Sequence, residues 1–558
     1  MMTKNPGKID AKTLEEAYWR KISRTKTWSG LETKASYRPE DISHLDYQRD
    51  VGEPGEYPFT RGIYSDMYRS KLWSMRHESG FGSPELSNQR LKFLIEQGAS
   101  ALDFIADQPT HQGLDGDHPL ARDEVGLTGV PLTSLRDMEK LMDGIPLESA
   151  STFTNCFSST NYIILAQYVA LAERSGADIK KLRGSIIFDN IISFYCGQQL
   201  PTWSIDMRTR LGADLMEYLS KNVPYWNFLI PGYNIRETGI NAIQEAAFIF
   251  SVAISYFEEM LRRGMSVDDF APRISFIPSV HIDFFEEICK IRAERRLWAK
   301  IVKERFGGQN PRSYWFRGTA QTAGCSLYRP QPIINLARTT IESLAAVLAG
   351  VQGVQTTAYD EPICIPTDEA HRVSLRVQQI LAYETGVGRV ADPLGGSYYV
   401  ESLTDQLEKE MVALIKKIDD MGGMFEAVKK GWVQEEIDKA LIQYQREVEN
   451  KERIIVGLNE FKIPYDEDED VNILVIPTDA TKRQVESVEK LKKERNNAAV
   501  GKALKSLYEA AKTDENVMPY VIDVVKEYGT VGEINGAIRL AYGDNYDPLD
   551  TIRAPFSY

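Results

Sequence analysis

From about residue 90 to residue 390, short apolar runs alternate with patterns of helix length, and this alternation constrains the fold more than any other feature of the chain. Ser185–Asp189 (SIIFD), Phe228–Tyr233 (FLIPGY), Arg273–Ile277 (RISFI) and Tyr314–Arg317 (YWFR) have strand length. Between them Asn241–Arg262 and His281–Phe306 have helix length, and Ala337, Ile341, Leu344, Ala345 and Leu348 fall at helical spacing. Strands separated by helices of this size return in the same direction, so the sheet is expected to be parallel. With so many repeats over roughly 300 residues, the expected fold is α/β, an eight-stranded (β/α) TIM barrel. A doubly wound open sheet is the alternative, but the chain has neither GxGxxG after a first strand nor GxxxxGK[ST].

Two regions flank this pattern. Residues 1–45 are charged and weakly periodic: an N-terminal arm that wraps a neighbour, or a partly ordered terminus. Residues 46–394 carry the barrel pattern, which Pro393 and Gly395–Gly396 interrupt within ADPLGGSY (Ala391–Tyr398). Beyond lie charged helices over Leu403–Met421 and Glu426–Lys451, then a short strand at Ile454–Leu458. The acidic run Asp466–Asp470 is expected to be a solvated turn, and Asp479–Thr513 to be helical. Residues 395–558 thus read as an α-rich C-terminal appendage rather than a second catalytic domain.

The stretch Tyr57–Gly82 (YPFTRGIYSDMYRSKLWSMRHESGFG) packs four Tyr or Trp rings and four Arg or Lys charges into 26 residues. It fits neither an amphipathic helix nor an alternating strand. It reads as extended, glycine-jointed chain whose cations and rings reach a phosphorylated, partly flat ligand, or as an ordinary basic loop. Polar residues recur after the expected strands: Tyr233, Asn234, Arg236 and Glu237, then Gln321 and Thr322, then Asp360 and Glu361. Each alone suits a helix cap; their recurrence suits a barrel's C-terminal face.

Several functions are disfavoured. A net charge of -14 argues against a general nucleic-acid binder. The N-terminus has no apolar signal core, and no run approaches the length of a membrane span. Five scattered cysteines suggest a reducing, cytoplasmic setting. The six histidines show no HxH or HExxH spacing, so no protein metal site is expected. Asp115-Gly-Asp117 lacks the rest of a calcium loop and reads as a turn. No GxSxG elbow or Ser/His/Asp order is present.

YPFTRGIYSDMY, the first part of Tyr57–Gly82, resembles the characteristic segment of the adenosylcobalamin-dependent acyl-CoA mutases, the methylmalonyl-CoA mutase family. The likeness continues through DQPTHQGLDGDHP (Asp107–Pro119), DEVGLTGVPL (Asp123–Leu132), FAPRISF (Phe270–Phe276) and AQTAGCSL (Ala320–Leu327). RTTIESLAAVLAGVQ (Arg338–Gln352), YDEP (Tyr359–Pro362), ADPLGGSYYVE (Ala391–Glu401) and VGLNEF (Val456–Phe461) extend it over nearly the whole chain. The resemblance implies a barrel threaded by coenzyme A, lined by Tyr64, Met67, Lys71, Ser74, Arg76, Arg273, Ser275, Gln321 and Gln352. It implies adenosylcobalamin as cofactor, whose cobalt–carbon homolysis starts a radical 1,2-rearrangement of the acyl skeleton. Glu237 and Glu361 match carboxylates that face the corrin and the adenosyl ribose, and Gly80 falls in the same cofactor-facing set.

The departures concern the reacting end. No histidine here has an Asp two positions before it, so the DxHxxG cobalt ligand of the family is expected from a separate small subunit, in a heterodimer or heterotetramer. Methylmalonyl-specific members have a tyrosine at the position of Glu78, an arginine at Gly197, a histidine at Asn234 and a glutamine at Ile187. Losing that arginine leaves a malonyl carboxylate without its cation, and Glu78 would repel it. A hydroxy-, amino- or bulkier acyl-CoA is therefore expected, with Glu78, Asn234, Gln321 and Gly197 at the reacting end. Glu78 pairing with His77 or Arg76 is the structural alternative. Methylmalonyl-CoA mutase proper, and a non-catalytic structural subunit, are the alternative functions.

Overall fold

The computed structural model describes residues 25–156, 160–196, 203–464, 468 and 471–558. The described strands are short and parallel: β1 (Ser74–Arg76), β2 (Leu102–Ile105), β3 (Ser151–Asn155), β4 (Arg183–Ile187), β5 (Trp226–Pro231), β6 (Ile274–Ile277), β7 (Ser279–Val280), β8 (Thr319–Thr322) and β9 (Gly353–Gln355). They form two sheets, ordered β2-β3-β4-β5-β6 and β1-β9-β8-β7. Isolated parallel bridges, Ser79 with Phe104 and Phe276 with Gly318, lie at the two places where one sheet approaches the other.

Register sorts the side chains. Phe104, Thr154, Ile186, Phe228 and Ile274 are successive partners across five strands, all buried, and form one row against the surrounding helices. One residue earlier, Asp103, Phe153, Ser185 and Asn227 form the row on the opposite face. The first row feeds an aromatic core in which Phe276 stacks on Phe316 at 4.6 Å and Trp226 and Trp298 are fully buried.

Helices start where the sequence places caps. Ser83 accepts from the Leu86 N–H ahead of Pro84–Glu96, with Pro84 in the first turn. Asn241 and Gln244 cap Ala242–Arg262 reciprocally. Phe284–Lys300 is the exception to amphipathic patterning, because it is buried nearly all round while carrying Glu286, Glu287, Lys290, Arg292, Glu294, Arg295 and Arg296. It is packed against Tyr398–Asp420, and several of its charges are paired, although neither carboxylate oxygen of Glu294 has a hydrogen-bond partner. Lys290 sits 2.8 Å from Glu245 and 2.6 Å from Glu287, and Arg292 lies 2.6 Å from Glu401.

Several expectations are corrected. Tyr314–Arg317 is not a strand: Pro311–Tyr314 forms a 3-10 turn, and the strand is the polar TAQT that follows. Ile454–Leu458 makes only a bridge from Val456 to Glu460. Glu426–Lys451 is two helices, Met424–Lys429 and Trp432–Glu449, parted by Gly431 at φ 73°. Asp466–Asp470 lies largely outside the described residues, and Asp468 is no solvated turn residue, because it pairs with Arg329 at 3.0 Å with its side chain 6% exposed. Residues 25–45 run along this same chain, with the Trp28 N–H donating to Asp283 and the Ser29 N–H to Glu286. Asp115 and Asp117 form a clamp: Lys492 reaches both at 2.9 and 2.7 Å, and Thr530 and the Gly532 N–H donate to Asp115. That clamp ties the C-terminal helices to the rest of the chain.

Candidate active site

Barrel interiors are usually filled by bulky branched side chains. Here, alternate strand residues near the strand starts are small or polar. Ser74, Ser151, Ser185, Asn227, Ser275 and Thr319 enclose a cavity of about 530 Å³. Lys71, Arg76, Arg317 and Gln352 complete its wall. Gln352 is fixed by the backbone, accepting from the Gly318 N–H and donating to the Gly350 carbonyl, both at 3.0 Å. Arg76 is buried and donates to Ser74 and Ser151 at 3.3 and 3.4 Å. A polar cleft with Lys71 exposed at its edge and two enclosed guanidinium groups suits a long phosphorylated ligand.

Toward the strand ends a second cavity, of about 300 Å³, is lined by Glu78, Gly80, Gln355, Glu361 and His371. Gly80 is needed for close approach, since a Cβ there would meet the Ile105 carbonyl at 2.4 Å. Asn155 donates to one oxygen of Glu78, and Gln355 donates to the other at 3.4 Å. Burial pushes the Glu78 carboxyl up to about 7, against the two amide hydrogen bonds that favour the anion. The pairing of Glu78 with His77 or Arg76 does not occur among its side-chain bonds. The His77 ring instead meets His371, Nδ1 to Nδ1 at 2.8 Å.

A third group converges at Gly324. A Cβ on Gly324 would lie 2.8 Å from the Tyr233 hydroxyl, 3.0 Å from Glu237 Oε2 and 3.2 Å from Glu361 Oε1. Enclosure by protein, opposed by bonds from Cys325 and Gly324, leaves the Glu237 carboxyl near 7. Glu361 opens on the cavity mouth. Enclosure first, then the charges of Glu78 and Glu237, push its carboxyl up to about 8. The Glu237 Oε1 atom is buried with no hydrogen-bond partner, a vacancy that suits a hydroxyl-bearing ligand.

The structure brings together Lys71, Ser74, Arg76, Ser275 and Gln352 in one cavity, and Glu78, Gly80 and Glu361 in the other. Gln321 is buried and in register with Gln355, so both share one face. Asn234 lies on the short helix Gly232–Arg236 that follows β5. Gln321 and Asn234 line neither cavity, and three more of the expected residues stand apart from the lining. Tyr64 is 39% exposed and edge-on to Trp315, Met67 is packed against Gly62, and Arg273 lies over the Tyr225 ring. Gly197 lies outside the described residues. Sequence reasoning missed Asp103, Asn155, Gln355, Arg317 and His371. A charge inside the four-residue strand LDFI is the one signal that pointed to any of them.

Comparison with known proteins agrees with this architecture. The family model described as methylmalonyl-CoA mutase matches residues 26–544. The large subunit of 2-hydroxyisobutanoyl-CoA mutase from Aquincola tertiaricarbonis is 40% identical over 513 residues, covering 91% of this chain and 90% of that one. Methylmalonyl-CoA mutase of Escherichia coli (strain K12) is 34% identical over 525 residues, covering 93% and 72%. The mitochondrial methylmalonyl-CoA mutase of Homo sapiens is 34% identical over 540 residues, covering 96% and 70%. The chain belongs to the methylmalonyl-CoA mutase family.

Proposed function

We propose that this chain is the large, acyl-CoA-binding subunit of an adenosylcobalamin-dependent mutase whose acyl group is not methylmalonyl. The single observation that carries this reading is Glu78, a half-buried carboxylate held by Asn155 and Gln355 beyond the inner end of the polar cavity. A malonyl carboxylate brought there would find no unpaired cation among the described residues of that lining, and would meet either a like charge or a Glu78 that must stay protonated. The relative named as a 2-hydroxyisobutanoyl-CoA mutase large subunit supports both the non-malonyl substrate and a small cobalamin-binding partner. The heteromer would be a heterodimer or heterotetramer.

The two bridges between the sheets support one eight-stranded barrel over residues 46–394, with β6 and β7 as one strand broken at Pro278. The arm and the α-rich region 395–558 would lie outside it. Lys71, Arg76 and Arg317 would meet phosphates, and Ser74, Ser275 and Gln352 would line the path of the pantetheine arm. Gln321 and Asn234 would orient the thioester end by donating amide hydrogen bonds. Tyr233, Glu237 and Glu361 would hold the polar groups of the cofactor, which supplies homolytic cobalt–carbon chemistry when bound. The chain's own task is to align one C–H bond and to exclude water.

The test is to combine the chain with a small cobalamin-binding subunit and adenosylcobalamin. Methylmalonyl-, isobutyryl-, 3-hydroxybutyryl- and 3-aminobutyryl-CoA would then be offered in turn. Turnover of a non-malonyl ester is expected. Fastest turnover of methylmalonyl-CoA would overturn the reading, and failure to bind any CoA ester would favour a structural subunit.

A further inference from the structure

Strand pairing sets Glu78 and Asp103 side by side. The Ser79 N–H donates to the Asp103 carbonyl at 3.0 Å, and the Ile105 N–H donates to the Ser79 carbonyl at 2.9 Å. This bridge pairs Ser79 with Phe104, so Glu78 and Asp103, one residue earlier on each strand, are neighbours on one face. That face is the lumen, because Asp103 shares its row with Ser185 and Asn227, which line the polar cavity, while Phe104 packs outward. Two ionised carboxylates opposite each other on adjacent strands would destabilise the sheet, so the pair is held by protons or by a cation.

The protein supplies little of it. Asp103 is 1% exposed, and neither of its carboxylate oxygens has a hydrogen-bond partner. Arg76, two residues before Glu78, bears on Asp103 electrostatically, yet its guanidinium donates to Ser74 and Ser151. From the facing elements come Glu361, Glu237 and the Tyr233 hydroxyl, and the neutral rings of His77 and His371. Arg90, also on the cavity wall, is taken up by Asp368.

We propose that the acyl group carries a protonated amine and that Glu78 and Asp103 receive it together. This rests on the acyl-CoA mutase reading above. A hydroxyl brings one donor and no charge, so it leaves the pair holding its protons and gives the two carboxylates nothing that lets both ionise. An alkyl group offers none. An ammonium offers three donors and a positive charge, enough for both carboxylates at once. Burial raises both carboxyls, so the empty site holds protons that an incoming ammonium displaces.

Two measurements on the complex of large chain, small cobalamin-binding subunit and adenosylcobalamin test this. In the first, kcat/KM is compared for 3-aminobutyryl-, 3-hydroxybutyryl- and butyryl-CoA with wild type, Glu78→Gln, Asp103→Asn and Asp103→Ser. The amino ester is expected to lead the hydroxy ester by ~10-fold or more, and each variant to remove that lead. Asp103→Asn keeps the shape and loses only the charge, so a merely structural role would leave its preference intact. In the second, calorimetry in two buffers of different ionisation heat is expected to show about one proton released when the amino ester binds and none for butyryl-CoA. The proposal is overturned if the hydroxy ester is turned over as fast as the amino ester, if Asp103→Asn keeps the preference, or if the amino ester binds without proton release. Fastest turnover of methylmalonyl-CoA would overturn both this proposal and the function above. A leading hydroxy ester would overturn only the amine.

Discussion

The Nδ1 atoms of His77 and His371 lie 2.8 Å apart, so one ring donates, the other accepts, and both are neutral. The contact ties the residue before Glu78 to the helix Asp368–Tyr383. Burial pushes the His77 ring down to about 4 and the His371 ring well below the ordinary imidazole range.

His371→Ala is expected to remove the buried ring–ring hydrogen bond, leaving His77 Nδ1 only its 3.4 Å contact with the Glu78 carbonyl, and to cost ~1–3 kcal/mol, read from urea unfolding at pH 8. The acid limb carries the second part of this prediction. Because the folded pKa lies below the unfolded value of 6.5, the unfolded chain takes up protons first as pH falls. The wild type should therefore lose stability between about 6.5 and 4, relative to a variant with asparagine at both positions. Equal acid slopes for the two proteins would rule the pair out as the cause.

The polar cavity gives a prediction about binding. Ser185 faces it from β4, in register with Phe153 and Asn227. Ser185→Leu puts a branched side chain where a TIM barrel ordinarily has one. The fold should persist, with a thermal midpoint at or above that of wild type, while affinity for coenzyme A esters falls ~10-fold or more. Unchanged affinity by calorimetry would show that the ligand takes another route.

Gly324→Ala separates cofactor alignment from acyl-CoA binding. The new methyl would press on Tyr233, Glu237 and Glu361 at 2.8–3.2 Å, none of which lines the polar cavity. Turnover should fall ~100-fold with coenzyme A ester affinity nearly intact, since a misplacement of about 1 Å suffices for such a loss. Parallel losses in both quantities would mean that the substitution had spread through the fold.

Much of this was legible in the residues, and the failures share one physical cause. Alternation of short runs with helices pointed to parallel strands, and the motif around Tyr57–Gly82 led to Ser74, Arg76 and Glu78. A polar lumen, however, removes the apolar character by which strands are recognised. The strand TAQT (Thr319–Thr322) carries Gln321 and Thr319 inward and therefore reads as loop, while the aromatic run Tyr314–Arg317 beside it reads as strand. Asp103 was invisible for a related reason. Its meaning depends on the neighbour that register gives it across the sheet, and register is not written in either strand alone. Asn155 and Gln355 converge on Glu78 from strands 77 and 277 residues away along the chain.

The Glu78 carboxyl supplies the last prediction, one of stability rather than turnover. Its folded value near 7 lies above the ordinary 4.5, and burial is the main cause. A raised carboxylate contributes stability that is fully present below 4.5 and is lost as pH rises through 7. Glu78→Gln keeps the shape and has no proton to lose, and its NH2 is accommodated if Asn155 turns its amide over to accept. The variant should match wild type near pH 4.5 and become more stable as pH rises, by ~1–2 kcal/mol at pH 8 after allowance for partial exposure. Asp103 beside it is raised further, by burial and then by the Glu78 charge, so Asp103→Asn removes the second carboxyl and should leave only the Glu78 divergence. Guanidinium unfolding of the three proteins from pH 4.5 to 8.5 would show the divergence. Curves that run parallel throughout would mean that the pair carries no strain in the free protein, and with it would go the reason for a cation to bind there.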